Sequence, residues 1–272
     1  MNISQKYRGL FDSHAHYFDE WIGEEWSELL DEFFSSGGEG VINVGTNNEN
    51  SLVCIEQAKK YEKMYCAVGI HPEDCLYLSG SPKEEVARLR ALVGSEEERR
   101  KNKIVALGEI GFDYHVEGLD EAGKQLQREY FERQMSLAEE LCLPVIIHDR
   151  EAHGDCFEMA LKYPRVRGVF HSYSGSAEMA KELTRRGWYI SFSGVVTFKN
   201  APKVKEVAAT VPADRILSET DAPYLAPVPY RGKRNSSSLM LHTVEAIADE
   251  RKISPDEAKK IIRENTRTLF GV

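Results

Sequence analysis

The sequence predicts a closed (β/α)8 barrel, and three observations lead there. Eight short, near-continuous apolar runs alternate with segments of helical spacing, one unit about every thirty residues, as a parallel sheet covered on both faces requires. The count of eight, with a length of 272 residues, favours a closed barrel over an open doubly wound sheet. No glycine-rich phosphate fingerprint follows the first run, which counts against a dinucleotide-binding sheet. The expected organisation is one domain over residues 1–272.

The elements follow in order. The first strand is F-D-S-H-A-H-Y (11–17), and the helix after it (24–38) spaces Trp26, Leu29, Leu30, Phe33 and Phe34 on one face before Gly37-Gly38 stops it. G-V-I-N-V-G-T (40–46) and M-Y-C-A-V-G-I-H-P (64–72) are the second and third strands, separated by a helix over 51–61. A helix over 82–93 precedes the charged stretch 95–103, which reads as a solvated surface. I-V-A-L-G-E-I-G-F-D-Y (104–114) is the fourth strand, and a long helix (121–142) follows with Leu126, Tyr130, Phe131, Met135, Leu137, Ala138 and Leu141 apolar. Strands over 144–150, 167–175, 188–198 and 215–224 alternate with helices near 152–163, 176–186 and 201–210. Helices over 237–250 and 255–269 finish the chain. The repetition is architectural; no sequence repeat accompanies it.

Composition narrows the functional classes. A hydrophobic content of 42% with 29% charged residues is that of a globular protein. No apolar run reaches the ~18–20 residues that a membrane span needs, and M-N-I-S-Q-K-Y-R-G carries no apolar signal segment, so the expected compartment is the cytoplasm. The five cysteines have no zinc-knuckle spacing and read as reduced, mostly buried thiols. A net charge of −9 excludes a protein that coats nucleic acid by bulk electrostatics, but not an enzyme of phosphate esters, because bound cations and a few local Arg or Lys residues make a site attractive to anions.

In such barrels the active site gathers at the C-terminal ends of the strands. His14 and His16 end strand 1, two residues apart and so on one face of the strand. Glu109 stands in strand 4, His148 ends strand 5, His171 strand 6, and Glu219 and Asp221 strand 8. Four imidazoles and three carboxylates at one end of five strands point to metal. The set exceeds the three protein ligands usual for one catalytic zinc. Two divalent cations about 3.5–4 Å apart fit better. Strand 8 adjoins strand 1, so His14, His16 and Asp221 are expected to share one ion; His148 and His171 are expected to share the other, with Glu109 as bridge. Mixed imidazole and carboxylate donors accept Zn, Mn, Ni, Fe or, less well, Mg.

F-D-S-H-A-H, G-I-H-P, G-E-I-G-F-D-Y, P-V-I-I-H-D-R, F-H-S-Y-S-G, S-G-V-V-T-F-K-N-A, E-T-D-A-P-Y and R-G-K-R-N together resemble the TatD-like metal-dependent hydrolases. The resemblance implies a barrel of the amidohydrolase-like type and metal-dependent deoxyribonuclease activity. It also implies the ligand set His14, His16, Glu109, His148, His171 and Asp221. Two departures stand out. R-G-K-R-N is followed by Ser236-Ser237 where the family usually has Glu-Pro, and strand 5 reads H-D-R for H-S-R.

The expected reaction is hydrolysis of a DNA phosphodiester, with exonucleolytic cleavage favoured, by water activated between two metals. Glu109, Asp221 and Glu219 are the catalytic candidates, Asp221 to orient or deprotonate the water and Glu219 to position a histidine. Arg150, Lys199, Arg231, Lys233 and Arg234 are candidate phosphate contacts, and His71 a candidate substrate contact. Tyr173, Phe198 and Tyr224 follow strands 6, 7 and 8, where rings can stack on unpaired bases or pack within loops. His115, His153 and His242 read as surface histidines. The expected substrate is single-stranded DNA or frayed ends, with no membrane and no obligate protein partner. Removal of a D-amino acid from tRNA, or hydrolysis of another ester, would use the same ligands. A non-catalytic nucleic-acid-binding barrel is the alternative from another class, disfavoured because all six ligands are present.

Overall fold

The computed structural model describes residues 5–272; the first four residues of M-N-I-S-Q-K-Y-R-G lie outside the described residues. Eight parallel strands follow one another in sheet order from first to last, making a (β/α)8 barrel. They are β1 (Phe11–Ala15), β2 (Gly40–Val44), β3 (Met64–Val68), β4 (Ile104–Asp113), β5 (Val145–Arg150), β6 (Gly168–Phe170), β7 (Tyr189–Phe192) and β8 (Ile216–Ser218). The helices are α1 (Trp26–Ser35), α2 (Asn48–Ala58), α3 (Pro82–Val93), α4 (Glu96–Lys101), α5 (Glu121–Leu141), α6 (His153–Lys162), α7 (Ala177–Arg185), α8 (Pro202–Thr210), α9 (Met240–Arg251) and α10 (Pro255–Phe270). None of the helices is long and apolar enough to cross a membrane. All five cysteines are free, and only Cys142 is exposed.

The described residues fall into two compact units, one of residues 5–43 with 171–272, the other of residues 44–170. In the first, β1 pairs with β2, β7 pairs with β8, and a bridge between Ala15 and Ala222 joins β1 to the chain just beyond β8. In the second, β3, β4, β5 and β6 pair in turn. Every residue of β1 is buried, as the near-continuous apolar runs anticipate.

Side-chain caps set the starts of α2, α3, α4, α5, α7 and α10. Ser81 opens α3 with a capping box to Glu84, Asn47 caps α2, Asp120 caps α5 and Ser254 caps α10. The charged stretch 95–103 is not featureless surface. Ser95 and Glu98 form a second capping box, acids fill the first turn and bases the last, and the short α4 results.

The last three strands are shorter than their apolar runs. Ser172 (φ 39°) and Asp221 (φ 58°) enter the left-handed region soon after β6 and β8, and the run of β7 turns into a 3-10 segment over Gly194–Thr197. Hydrophobicity cannot register the sign of a backbone dihedral, so the runs read longer than the ladders.

α5 does more than cover the sheet. Among its buried residues are Gln127 and Gln134, each clasping a backbone segment through both amide atoms. Gln134 accepts from Ile70 N (2.7 Å) and donates to Ile70 O (3.0 Å). Gln127 accepts from Asp113 N (3.1 Å) and donates to Asp113 O (2.9 Å). The helix thus fixes the backbone beside His71 and at the end of β4.

Candidate metal centre

Each unit carries its own cluster of metal-capable side chains. In the first, the end of β1 presents His14 and His16 with their Nε2 atoms 3.0 Å apart. Asp221 Oδ1 lies 3.6 Å from His14 Nε2 and 3.4 Å from His16 Nε2. The backbone explains this meeting. Asp221 N donates to His14 O (2.9 Å) and His16 N donates to Ala222 O (2.7 Å), so 14–16 and 221–222 run as a short parallel ladder. The left-handed backbone of Asp221, which Asp tolerates better than most residues, ends that ladder.

Three donor atoms 3.0–3.6 Å apart match the ligand–ligand edge, about 3.3–3.6 Å, of a tetrahedral ion bound at 2.0–2.2 Å. The residues present fit a divalent cation. His171 packs face to face on His14, with ring centroids 4.2 Å apart and planes 12° apart. Glu219 Oε1 lies 3.2 Å from His171 Nδ1 and accepts from Ser172 N at 2.7 Å. A carboxylate behind Nδ1 fixes the tautomer and directs Nε2 outward as a ligand atom. Burial works to raise the Asp221 pKa, but the hydrogen bond from His16 and the charges of His14 and His171 outweigh it and hold the carboxyl below its ordinary range.

The second cluster gathers His71, Glu109 and His148. Glu109 Oε1 is 2.6 Å from His148 Nδ1 and 3.6 Å from His71 Nε2, and the two imidazoles meet edge to face with centroids 4.4 Å apart. His71, expected at substrate, therefore stands where it has the reach of a ligand. Gly111 in G-E-I-G-F-D-Y allows β4 and β5 to close here. A Cβ at its φ of 151° would meet His148 O at 2.0 Å.

Sequence reasoning passed over Asp113. It is buried, and its Oδ2 lies 3.1 Å from His148 Nε2. Burial pushes its carboxyl up, but His148, the His115 N–H and Arg150 push it down further, and it settles below the usual range. With Asp113 accepting at Nε2, Nδ1 of His148, which faces Glu109, is the ring atom that could hold a metal. The signal was available, since Asp113 is four residues beyond Glu109 and even spacing favours one strand face. Asp113→Asn is expected to weaken divalent-metal affinity about 10–100-fold. Calorimetric titration of metal-free protein with Mn²⁺ checks this, and an unchanged affinity would give Asp113 a packing role only.

The remaining candidates separate by environment. Arg150 is half-exposed, 3.9 Å from Asp113, and Lys199, Arg231 and Lys233 are exposed. Arg231 lies over the Phe198 ring, 4.4 Å from its centroid, which covers one face of that ring. Arg234 is committed elsewhere, with two hydrogen bonds to Glu25 (3.1 and 2.6 Å) and one to Trp21 O. Tyr173 is buried and bonded to Ser176 O, while Tyr224 stays exposed. His115, His153 and His242 pair with Glu151, Asp149 and Glu245.

Ser237, one of the two residues that replace Glu-Pro, is built into the floor of the first cluster. Its hydroxyl donates to Asp12 Oδ2 (2.6 Å) and accepts from the Tyr17 hydroxyl (2.8 Å), and its N–H donates to Tyr17 Oη (3.1 Å). Thr220 adds two bonds to Asp12. Burial pushes the Asp12 carboxyl up to about 6, and these donors restrain it. A proline at 237 would supply neither hydroxyl nor N–H. Ser237→Ala is expected to cost about 1–3 kcal/mol, read as a lower thermal midpoint. An unshifted midpoint would show that Asp12 does not depend on Ser237.

The fold and the two clusters describe a metal-dependent hydrolase, and comparison with known proteins agrees. A family model described as TatD related DNase matches residues 11–271, and the chain belongs to that family. It is 37% identical to an uncharacterized metal-dependent hydrolase, YabD, of Bacillus subtilis, over 97% of this chain and 99% of the relative. It is 32% identical to another, YcfH, of Escherichia coli K12, over 97% and 96%. Among solved structures, YjjV, a TatD homologue of Escherichia coli, superposes with a TM-score of 0.87 at 28% identity, covering 97% of this chain and 98% of the other.

Proposed function

We propose that the chain, acting as a single hydrolase domain over residues 1–272, is a deoxyribonuclease of the cytoplasm that removes nucleotides from single-stranded or frayed DNA ends with two divalent cations per chain. The observation that carries this is the presence of two clusters, His14–His16–Asp221 and His71–Glu109–His148, each with the three donors usual for one catalytic ion. The substrate follows from the family, whose model bears the name of a DNase.

Divalent cations bound by such ligands lower the pKa of water and offset charge on phosphate oxygens. The chain's own residues do the rest. Asp221, beside His14 and His16, orients the attacking water. Glu219 and Asp113 hold His171 and His148 in one tautomer each. Glu109 would hold a cation at the second cluster together with His71 and His148, and it contributes negative charge there. Arg150, Arg231 and Lys233 present cations to phosphate.

The test adds Mg, Mn, Zn or Ni back to metal-free protein and offers a DNA oligonucleotide and D-tyrosyl-tRNA side by side. Release of nucleotides from the oligonucleotide is the expected result. Deacylation of the tRNA with no DNA cleavage would overturn the reading.

A further inference from the structure

We propose that Trp21 and Tyr224 form a stacking platform for an unpaired nucleobase beside the His14–His16–Asp221 cluster. The inference rests on the nuclease reading and adds to it the part of the substrate that is gripped.

Both residues are about half exposed, Trp21 49% and Tyr224 45%. Burying such large aromatic surfaces is among the more favourable things a fold can do, so two adjacent wet rings need a reason. They are not loose. The Tyr224 hydroxyl donates to Asp19 Oδ2 (2.6 Å), and Asp19 Oδ1 accepts from Trp21 N (2.8 Å). Tyr224 N donates to Asp221 O (2.8 Å), and Asn235 Nδ2 donates to Tyr224 O (2.8 Å). Trp21 O accepts from Arg234, whose guanidinium is anchored on Glu25. The Trp21 backbone and the Tyr224 backbone and hydroxyl are held by hydrogen bonds while about half of each residue stays exposed. That is a preorganised surface for a flat ligand.

Placement identifies the ligand. Tyr224 lies 6.4 Å from the His16 ring and Trp21 lies 6.2 Å from Tyr224, centroid to centroid. A phosphate seated at the cluster brings its own base to this distance range. The two planes are inclined by 57°, so one ring can take the face of a base while the other meets its edge. A net charge of −9 offers no bulk attraction for DNA, whereas stacking is indifferent to charge and to sequence. A base within a duplex has both faces covered, so the platform selects unpaired ends.

The test uses the metal-loaded full chain and two oligonucleotides, one intact and one abasic at the terminal residue. The parent protein is expected to favour the intact end about 5- to 100-fold through KM. Trp21→Ala and Tyr224→Ala should erase that preference, and Trp21→Phe should retain most of it. Equal handling of the two ends by the parent, or an undiminished preference in both alanine variants, would overturn the proposal. If no oligonucleotide is cleaved the nuclease reading fails, and the platform is then judged by titration with thymidine 5′-monophosphate. Saturable quenching of tryptophan fluorescence that disappears in Trp21→Phe supports it, and absence of quenching in the parent overturns it.

Discussion

His14→Ala is expected to lower kcat/KM on DNA about 10³-fold and to remove one equivalent of bound metal. His14 is the hub of the first cluster, within 3.0 Å of His16, 3.6 Å of Asp221 and stacked on His171. Its loss leaves two donors where three converge, too few to hold an ion in tetrahedral geometry. A catalytic cation supplies several kcal/mol of transition-state stabilisation, and each 1.36 kcal/mol is tenfold in rate, so losing the ion is worth about three orders of magnitude. Elemental analysis beside steady-state kinetics separates this from simple unfolding, which a melting curve would report. Full activity with full metal content would remove His14 from the ligand set.

Glu109→Gln is expected to cost a similar factor by another route. The amide keeps the volume of the carboxylate but loses the charge that faces His148 Nδ1 at 2.6 Å and His71 Nε2 at 3.6 Å. The sharper result comes from the double variant. Groups that act as a unit lose their effect together, so His14→Ala combined with Glu109→Gln is expected to be little slower than either alone. Multiplied losses near 10⁶-fold would instead describe two clusters working independently.

The fold was largely legible because a parallel sheet buried on both faces writes itself as apolar runs, and helix caps such as Ser81 and Asp120 are local in sequence. Of the residues that the family motifs suggest, His14, His16 and Asp221 come together in one cluster and Glu109 and His148 in the other, where His71, expected at substrate, joins them. What was hidden is what depends on distant segments. Ser237 reaches Asp12 across 225 residues, and nothing near either one signals the bond. Gln127 and Gln134 fall outside the apolar pattern of their helix, yet they clasp backbone at Asp113 and Ile70. Trp21 sits in a loop with no periodicity to read, so only its position beside Tyr224 gives it meaning.

The ladder joining 14–16 to 221–222 has a consequence for biosynthesis. The residues of the second cluster, 71 to 148, all emerge within the middle of the chain, whereas the first cluster unites residues separated by more than two hundred positions. On the ribosome, where domains form from the N-terminus onward, His14 and His16 must wait for Asp221 before they can hold an ion. A chain stalled before β8 lacks Asp221, and its His14 and His16 are two donors of a set of three. Only synthesis past Asp221 completes the first set of donors.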